Sequence, residues 1–345
     1  MSNTKACLIL LLAILLSSGL KAQEPIAIGE KHKIASKILN EDREVWIHLP
    51  KSYNDSAITP ATYPVIYLLD AEINFEYVAP TVDYLSRSPF ADMPECIVVG
   101  IKNTDRTRDF TPTRSSKKDP NNAAKTLFSN SGGSAVFLRF INEELKPYIN
   151  ENYRAAGYNI LVGHSFGGLF AAYAFLQPEK SFDAYIANDP SLWWDNKTVV
   201  HLAEKITSHP NHTVFYLGQA NNEEKNMLDS EMAHAIAEFR NTVEKHESLR
   251  WGYQFYDKDD HGTVSYPATY DGLRFIFNHY KTDIRLVAKE PAALIKAYKA
   301  YSDQAGFTFL PSETYLNKII KFSKDNNFEE SHDYFLDLKS HLYQH

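Results

Sequence analysis

The chain has 345 residues, of which 44% are apolar and 13% aromatic, a composition able to bury a large core and unlike that of a disordered segment. Its formal net charge is -7, with acidic and basic residues interspersed and no long basic run, so it is poorly suited to neutralising a phosphate backbone. Nucleic acid is not an expected partner.

Lys5 precedes the apolar run Ala6 to Leu16, and Ser17-Ser18-Gly19 then Leu20-Lys21-Ala22 lead to Gln23, the layout of a cleavable secretory signal over residues 1–22. The expected mature protein is soluble and secreted or periplasmic. The apolar run is too short for a comfortable membrane span, and no later stretch approaches the roughly 20 apolar residues a span needs, so stable membrane insertion is not expected. Cys7 reads as part of the signal. Cleavage near Ala22 leaves Cys96 alone, and no intramolecular disulfide can form.

Glu44-Val45-Trp46-Ile47-His48-Leu49-Pro50 alternates apolar and polar, as a half-buried antiparallel strand at a sheet edge would. Tyr63 to Leu69 and Glu95 to Ile101 are continuous apolar runs, which fit strands covered on both faces. From Ser134 to Ile149 the apolar residues recur near a 3.6 period, predicting a helix before the strand Tyr158 to Val162. Further strands are expected at Asp183–Ala187, Thr213–Leu217 and Arg250–Tyr256, with helices at Phe166–Leu176, Met227–His246 and Tyr266–Tyr280. This alternation predicts an α/β chain with a doubly wound, mostly parallel sheet. Beyond Tyr280 no strand pattern survives, and 281–345 reads as two or three amphipathic helices. They form either a helical lid or cap packed on the main domain (23–280) or one or two repeat-like helix pairs.

Gly163-His164-Ser165-Phe166-Gly167-Gly168 follows a buried strand directly and opens a helix. A G-x-S-x-G pentapeptide arises readily by chance, but strand before and helix after make it a nucleophile elbow: a sharp, strained turn that projects a serine from the carboxyl edge of the sheet. Ser165 is the expected nucleophile. The amide of Phe166, at the positive end of the helix, is one oxyanion donor, and the amide of Ala71 or Glu72 in the loop after Leu69 is the other. His164 reads as a structural part of the elbow.

A triad on this architecture runs Ser, then Asp or Glu, then His along the chain. His261, after the last strand and before the closing helix, takes the last place. The acid is expected after the strand Thr213–Gly218, where Glu223 is chosen over Glu224 and Asp229, and a Ser–His dyad with no dedicated acid stays open. Asp257, Asp259 and Asp260 beside His261 read as a solvated loop, because no second His or Cys completes a coordination shell. No metal or cofactor is expected.

These residues resemble the esterase family that includes enterochelin esterases, S-formylglutathione hydrolase (esterase D), feruloyl esterases and mycolyltransferases, over roughly Lys33 to Tyr280. The similarity rests on the elbow, Val65 to Asp70, Asn103 to Pro112, Asp189-Pro190-Ser191-Leu192-Trp193-Trp194, and His261-Gly262-Thr263-Val264. The arginine-rich and Trp-Trp segments are closest to the siderophore-esterase branch. The resemblance implies an α/β-hydrolase fold and a serine esterase that cleaves small-molecule carboxylic esters through an acyl-enzyme. Ala71 stands where the family commonly has Gly, and the helical tail is extra to the siderophore esterases. Arg106 and Arg108 either bind an anionic or catecholate-bearing substrate or pair with Asp105 or Asp109, and Trp193 and Trp194 either wall a substrate pocket or pack on the sheet edge. Acyl transfer to an alcohol is the enzymatic alternative on the same residues. A hydrolase-fold binding module acting through its tail is the alternative of another class.

Overall fold

A computed structural model describes residues 26–119, 121–206, 212–222, 227–246 and 249–343. The expected signal, with Cys7, lies outside the described residues, as do Glu223 and Glu224. The strands are β1 (Glu30–Ser36), β2 (Glu41–His48), β3 (Tyr63–Leu69), β4 (Ile97–Ile101), β5 (Lys118–Asp119), β6 (Asn122–Thr126), β7 (Ala155–His164), β8 (Ala184–Asn188), β9 (Val214–Ala220) and β10 (Arg250–Tyr256). Eight form one sheet in the order β1-β2-β4-β3-β7-β8-β9-β10, and β5 and β6 form a separate hairpin. The β1–β2 and β2–β4 pairs are antiparallel, and every later neighbour in the sheet is parallel. This is the α/β-hydrolase architecture, with β7 at its centre.

The continuous apolar runs have a simple cause. Along β3, Val65, Tyr67 and Leu69 face one core, while Ile66 and Leu68 face the other. A strand covered on both faces needs an apolar residue at every position. The helices Phe166–Phe175 and Met227–Val243 cover the first face, and Ala71–Leu85 and Ser265–Ile276 the second.

One expectation is corrected at the sheet's antiparallel end. The strand over Glu44–Pro50 is not the edge, because β1 pairs outside β2, with His32 opposite Val45. β1 is hard to see in sequence since only Ile34 and Ser36 of its seven residues are buried. Three of its four exposed positions, Glu30, Lys31 and Lys33, carry charge, as edge strands commonly do.

Among the described residues the tail folds as four helices, Ile284–Lys289, Ala292–Ala305, Glu313–Asp325 and Glu329–Tyr343, not the two or three expected, because the short helix Ile284–Lys289 has too few residues to show a helical period. Tyr301 and Phe309 pack against Phe277 and Tyr280, extending the second core. The Thr59 amide donates to Glu313 at 2.6 Å, and the Thr59 hydroxyl donates to the Tyr343 carbonyl at 3.2 Å. Thr59 lies just before β3 begins, whereas Ser165 lies just after the parallel strand β7 ends. The tail therefore anchors at the opposite end of the sheet from Ser165.

Candidate active site

The elbow forms because β7 hands directly to the helix Phe166–Phe175. Ser165 takes φ 58° and ψ -115°, a conformation that costs a non-glycine residue on the order of 1–3 kcal/mol. The turn is tight enough that a Cβ at Gly163 would lie 2.3 Å from the Gly167 carbonyl oxygen, so only glycine fits there. Three neighbours hold the strained residue. Its amide donates to the Asn188 carbonyl at 3.0 Å, and its carbonyl accepts the amides of Leu169 at 2.9 Å and Ser191 at 3.0 Å.

Ser165 Oγ lies 3.0 Å from His261 Nε2, and His261 Nδ1 lies 2.6 Å from Asp189 Oδ2. Asp189 directly follows β8, takes φ 40° and is fully buried. Its Oδ1 accepts the Ala220 amide at 3.0 Å, and its Oδ2 accepts the Asn222 side-chain amide at 3.0 Å. A buried carboxylate is tolerable when its lone pairs are met in this way. Asn222 also accepts the His261 amide at 3.1 Å, bracing both partners of the His261–Asp189 hydrogen bond. The Asp260 carboxylate accepts the amides of Gly262 and Thr263, so it shapes the loop that carries the imidazole.

The carboxylate on His261 is thus Asp189, where the sequence pointed to Glu223. Glu224 shares Glu223's place outside the described residues, and Asp229 lies in the helix Met227–Val243. The physical reason is strand pairing: β8 adjoins β7, so the residue after β8 emerges beside Ser165. A signal existed, since Asp189 opens the Asp189–Trp194 segment that carried the family resemblance.

The two expected oxyanion donors stand at the starts of helices. Phe166 opens the helix after Ser165, and Ala71 opens Ala71–Leu85 behind Asp70, which is left-handed at φ 55° and ψ 50°. First-turn amides lack an intrahelical partner and point outward from the helix start. The two starts lie close, for a Cβ on Gly167 would sit 3.3 Å from Asp70 Oδ2.

Arg108 pairs with Asp109, one of its expected alternatives, whereas Arg106 meets a different carboxylate. Arg106 donates from Nε to Asp70 Oδ1 at 2.7 Å and from Nη2 to Asp70 Oδ2 at 3.0 Å, and Nη2 also reaches the His164 carbonyl at 3.1 Å. The guanidinium expected on substrate is engaged within the protein, and its partner is neither Asp105 nor Asp109. Arg108 bonds Asp109 and Glu41, and this set holds buried Arg43 as well.

Trp194 is buried, donates from Nε1 to Thr113 at 3.1 Å and meets the Phe166 ring edge-on at 5.3 Å. Trp193 is half-buried, with the Lys117 ammonium 5.6 Å over its ring. Both border a cleft of about 410 Å³, shared with Phe128, Ser115 and Glu231. Phe128 also meets the Phe166 ring, which links the cleft to the elbow.

His164, expected as a structural part of the elbow, packs its ring against His261. Its ring centroid lies 4.6 Å from that of His261. Burial, reinforced by the neighbouring His261, pushes its imidazole down to about 4, so it stays neutral near pH 7.

The model of the Putative esterase family matches residues 36–266. The chain belongs to this esterase family. Among solved structures, this esterase resembles an IroE-like serine hydrolase from Shewanella oneidensis, with 31% identity, a TM-score of 0.80, and coverage of 91% of this chain and 99% of that one. It also resembles the BES protein of Bacillus cereus, at 28% identity and a TM-score of 0.63 over 74% of this chain and 98% of the other. Among curated relatives, the ferri-bacillibactin esterase BesA of Bacillus subtilis is 33% identical over 49% of this chain and 61% of its own length. A siderophore enterobactin esterase of Emericella nidulans is 30% identical over 43% of this chain and 57% of its own length. The chain thus spans less than two thirds of the length of these curated relatives.

Proposed function

We propose that the chain hydrolyses carboxylic esters through an acyl-enzyme on Ser165, with His261 as general base and Asp189 as the acid that orients it. The observation that carries this reading is the continuous relay Ser165 Oγ–His261 Nε2 at 3.0 Å and His261 Nδ1–Asp189 Oδ2 at 2.6 Å. Ser165 Oγ attacks the ester carbonyl carbon while His261 Nε2 takes its proton, and Asp189 stabilises the imidazolium and fixes the tautomer. The tetrahedral oxyanion forms against the amides of Phe166 and Ala71. His261 then returns the proton to the leaving alkoxide, and a water activated by the same imidazole releases the acid. About 41% of the His261 side chain is exposed, and this access to water favours hydrolysis over transfer to an alcohol.

The substrate class we infer is a siderophore-type ester bearing an anionic aromatic acyl group. Its support is the aromatic cleft with Lys117 beside the elbow, together with the siderophore esters named for the curated relatives. A panel of catecholate trilactones, feruloyl esters and acetylated sugars, assayed with wild type and Ser165→Ala, tests the reading. Turnover is expected on the trilactones and abolished in Ser165→Ala. No turnover on any ester would favour a binding module instead. We also propose that residues 1–22 direct export, for which amino-terminal sequencing of the exported protein should find a start near Gln23.

A further inference from the structure

We propose that Arg106 is a positioning residue that sets the oxyanion hole by clamping Asp70 to the nucleophile elbow. The inference rests on the acyl-enzyme reading of Ser165. β3 and β7 carry the two sides of the hole, and their ladder pairs Ile66 with Ile160, Tyr67 with Leu161 and, last, Leu68 with Val162. Asp70 and His164 both lie two residues beyond that last pair: Asp70 sits in the turn before Ala71, and His164 ends β7, paired with Asn188 of β8 but not with β3. Regular pairing no longer fixes their separation.

Arg106 bridges this gap. Its fork takes both oxygens of Asp70, and Nη2 reaches across to the His164 carbonyl. Asp70 immediately precedes Ala71, and His164 lies two residues before Phe166. One planar group therefore connects the two segments whose amides would receive the oxyanion. The clamp is itself held: Asn103 donates to Asp70 Oδ1 at 2.6 Å, and the rings of Phe110 and Phe166 each lie 5.5 Å from the guanidinium carbon. Asp70 is 2% exposed, so the pair works where water competes little. A lysine cannot reproduce this bridge, because a single ammonium does not present two parallel donors together with a third contact.

The competing role is direct capture of a substrate anion, since about a third of the Arg106 side chain is exposed. The two roles separate on a neutral ester. Arg106→Lys keeps the charge opposite Asp70, and the double variant Arg106→Gln/Asp70→Asn removes the pair without stranding a buried carboxylate. With 4-nitrophenyl acetate, kcat should fall about 10- to 100-fold in both variants, with KM within about twofold of wild type, because a displaced donor weakens only the transition state. Inactivation by a fluorophosphonate should slow in parallel. If Arg106→Lys keeps kcat within about twofold on this ester and only raises KM for a carboxylate-bearing aryl ester, the clamp is overturned and Arg106 is a substrate contact. Ser165→Ala run alongside separates the two failures. Its retained turnover would overturn the acyl-enzyme reading, whereas an inert Ser165→Ala beside a fully active Arg106→Lys would overturn the clamp alone.

Discussion

Asp189→Asn is the substitution that most directly probes the relay. Asn is nearly isosteric with Asp and can still accept the Ala220 amide through its oxygen. What it cannot do is present a second acceptor to His261 Nδ1, which lies 2.6 Å from Oδ2 in the native chain. An amide nitrogen placed there faces the imidazole with a donor. The ring then favours the tautomer protonated on Nε2, the atom 3.0 Å from Ser165 Oγ that must instead receive a proton. The same change sets the new amide nitrogen against the Asn222 side-chain donor at 3.0 Å, loosening the brace on the His261 amide. A tautomer error of this kind costs on the order of 10³- to 10⁴-fold in kcat, or about 4–5.5 kcal/mol of barrier. Initial rates on 4-nitrophenyl acetate measure it, with thermal melting to establish that the variant is folded. Glu223→Gln serves as the comparison and should stay within about threefold of wild type. A folded Asp189→Asn that retains more than a tenth of wild-type kcat would refute the reasoning, as would a Glu223→Gln with an equal loss.

Two other outcomes follow from packing and charge. Phe309→Ala deletes a buried ring that contacts Tyr158 at 5.3 Å and Tyr301 at 5.0 Å, and should destabilise the fold by about 3–5 kcal/mol in urea titrations. Its kcat below the melting transition should stay within about twofold, since the tail stands away from Ser165; a specific loss of kcat would contradict that placement. The hydrogen bond from Arg108, aided by Arg43, holds Glu41 down to about 2 against an ordinary 4.5. A carboxylate with a lowered folded value contributes stability above its unfolded value and loses it as pH falls through the window from 4.5 to 2. The urea midpoint of Glu41→Gln should therefore lie below wild type at pH 7, and the gap should close across that window; a gap independent of pH would show that the charge is not what matters.

The features that were legible in the sequence are the local ones. The elbow is set within the six residues Gly163 to Gly168, by strand, turn and helix signals that need no distant partner. β3 and β4 were legible for a related reason, because burial on both faces writes itself as an unbroken apolar run. Asp189 was missed because its place depends on the Ser165–Asn188 contact between neighbouring strands, which spacing along the chain does not encode. The usual position for the acid, after β9, drew attention to Glu223 instead. Arg106 shows the same limit. Asp105 and Asp109 are its neighbours in sequence, yet the carboxylate it meets belongs to a turn 36 residues earlier. β1 was obscure since an edge strand needs few apolar residues, and EKHKIAS buries only two of its seven.

The tail's placement bears on how this molecule can be approached and handled. Tyr343 sits beside Thr59, at the end of the sheet where the parallel strands begin, while the relay and the aromatic cleft lie at the end where they finish. A bulky substrate can thus arrive along the strand direction without displacing the terminal helices. Protein tethered to a support through the exposed side chains of the helix Glu329–Tyr343 would turn the Ser165 end of the sheet away from the support, leaving the cleft open to ligands much larger than a simple acetate ester.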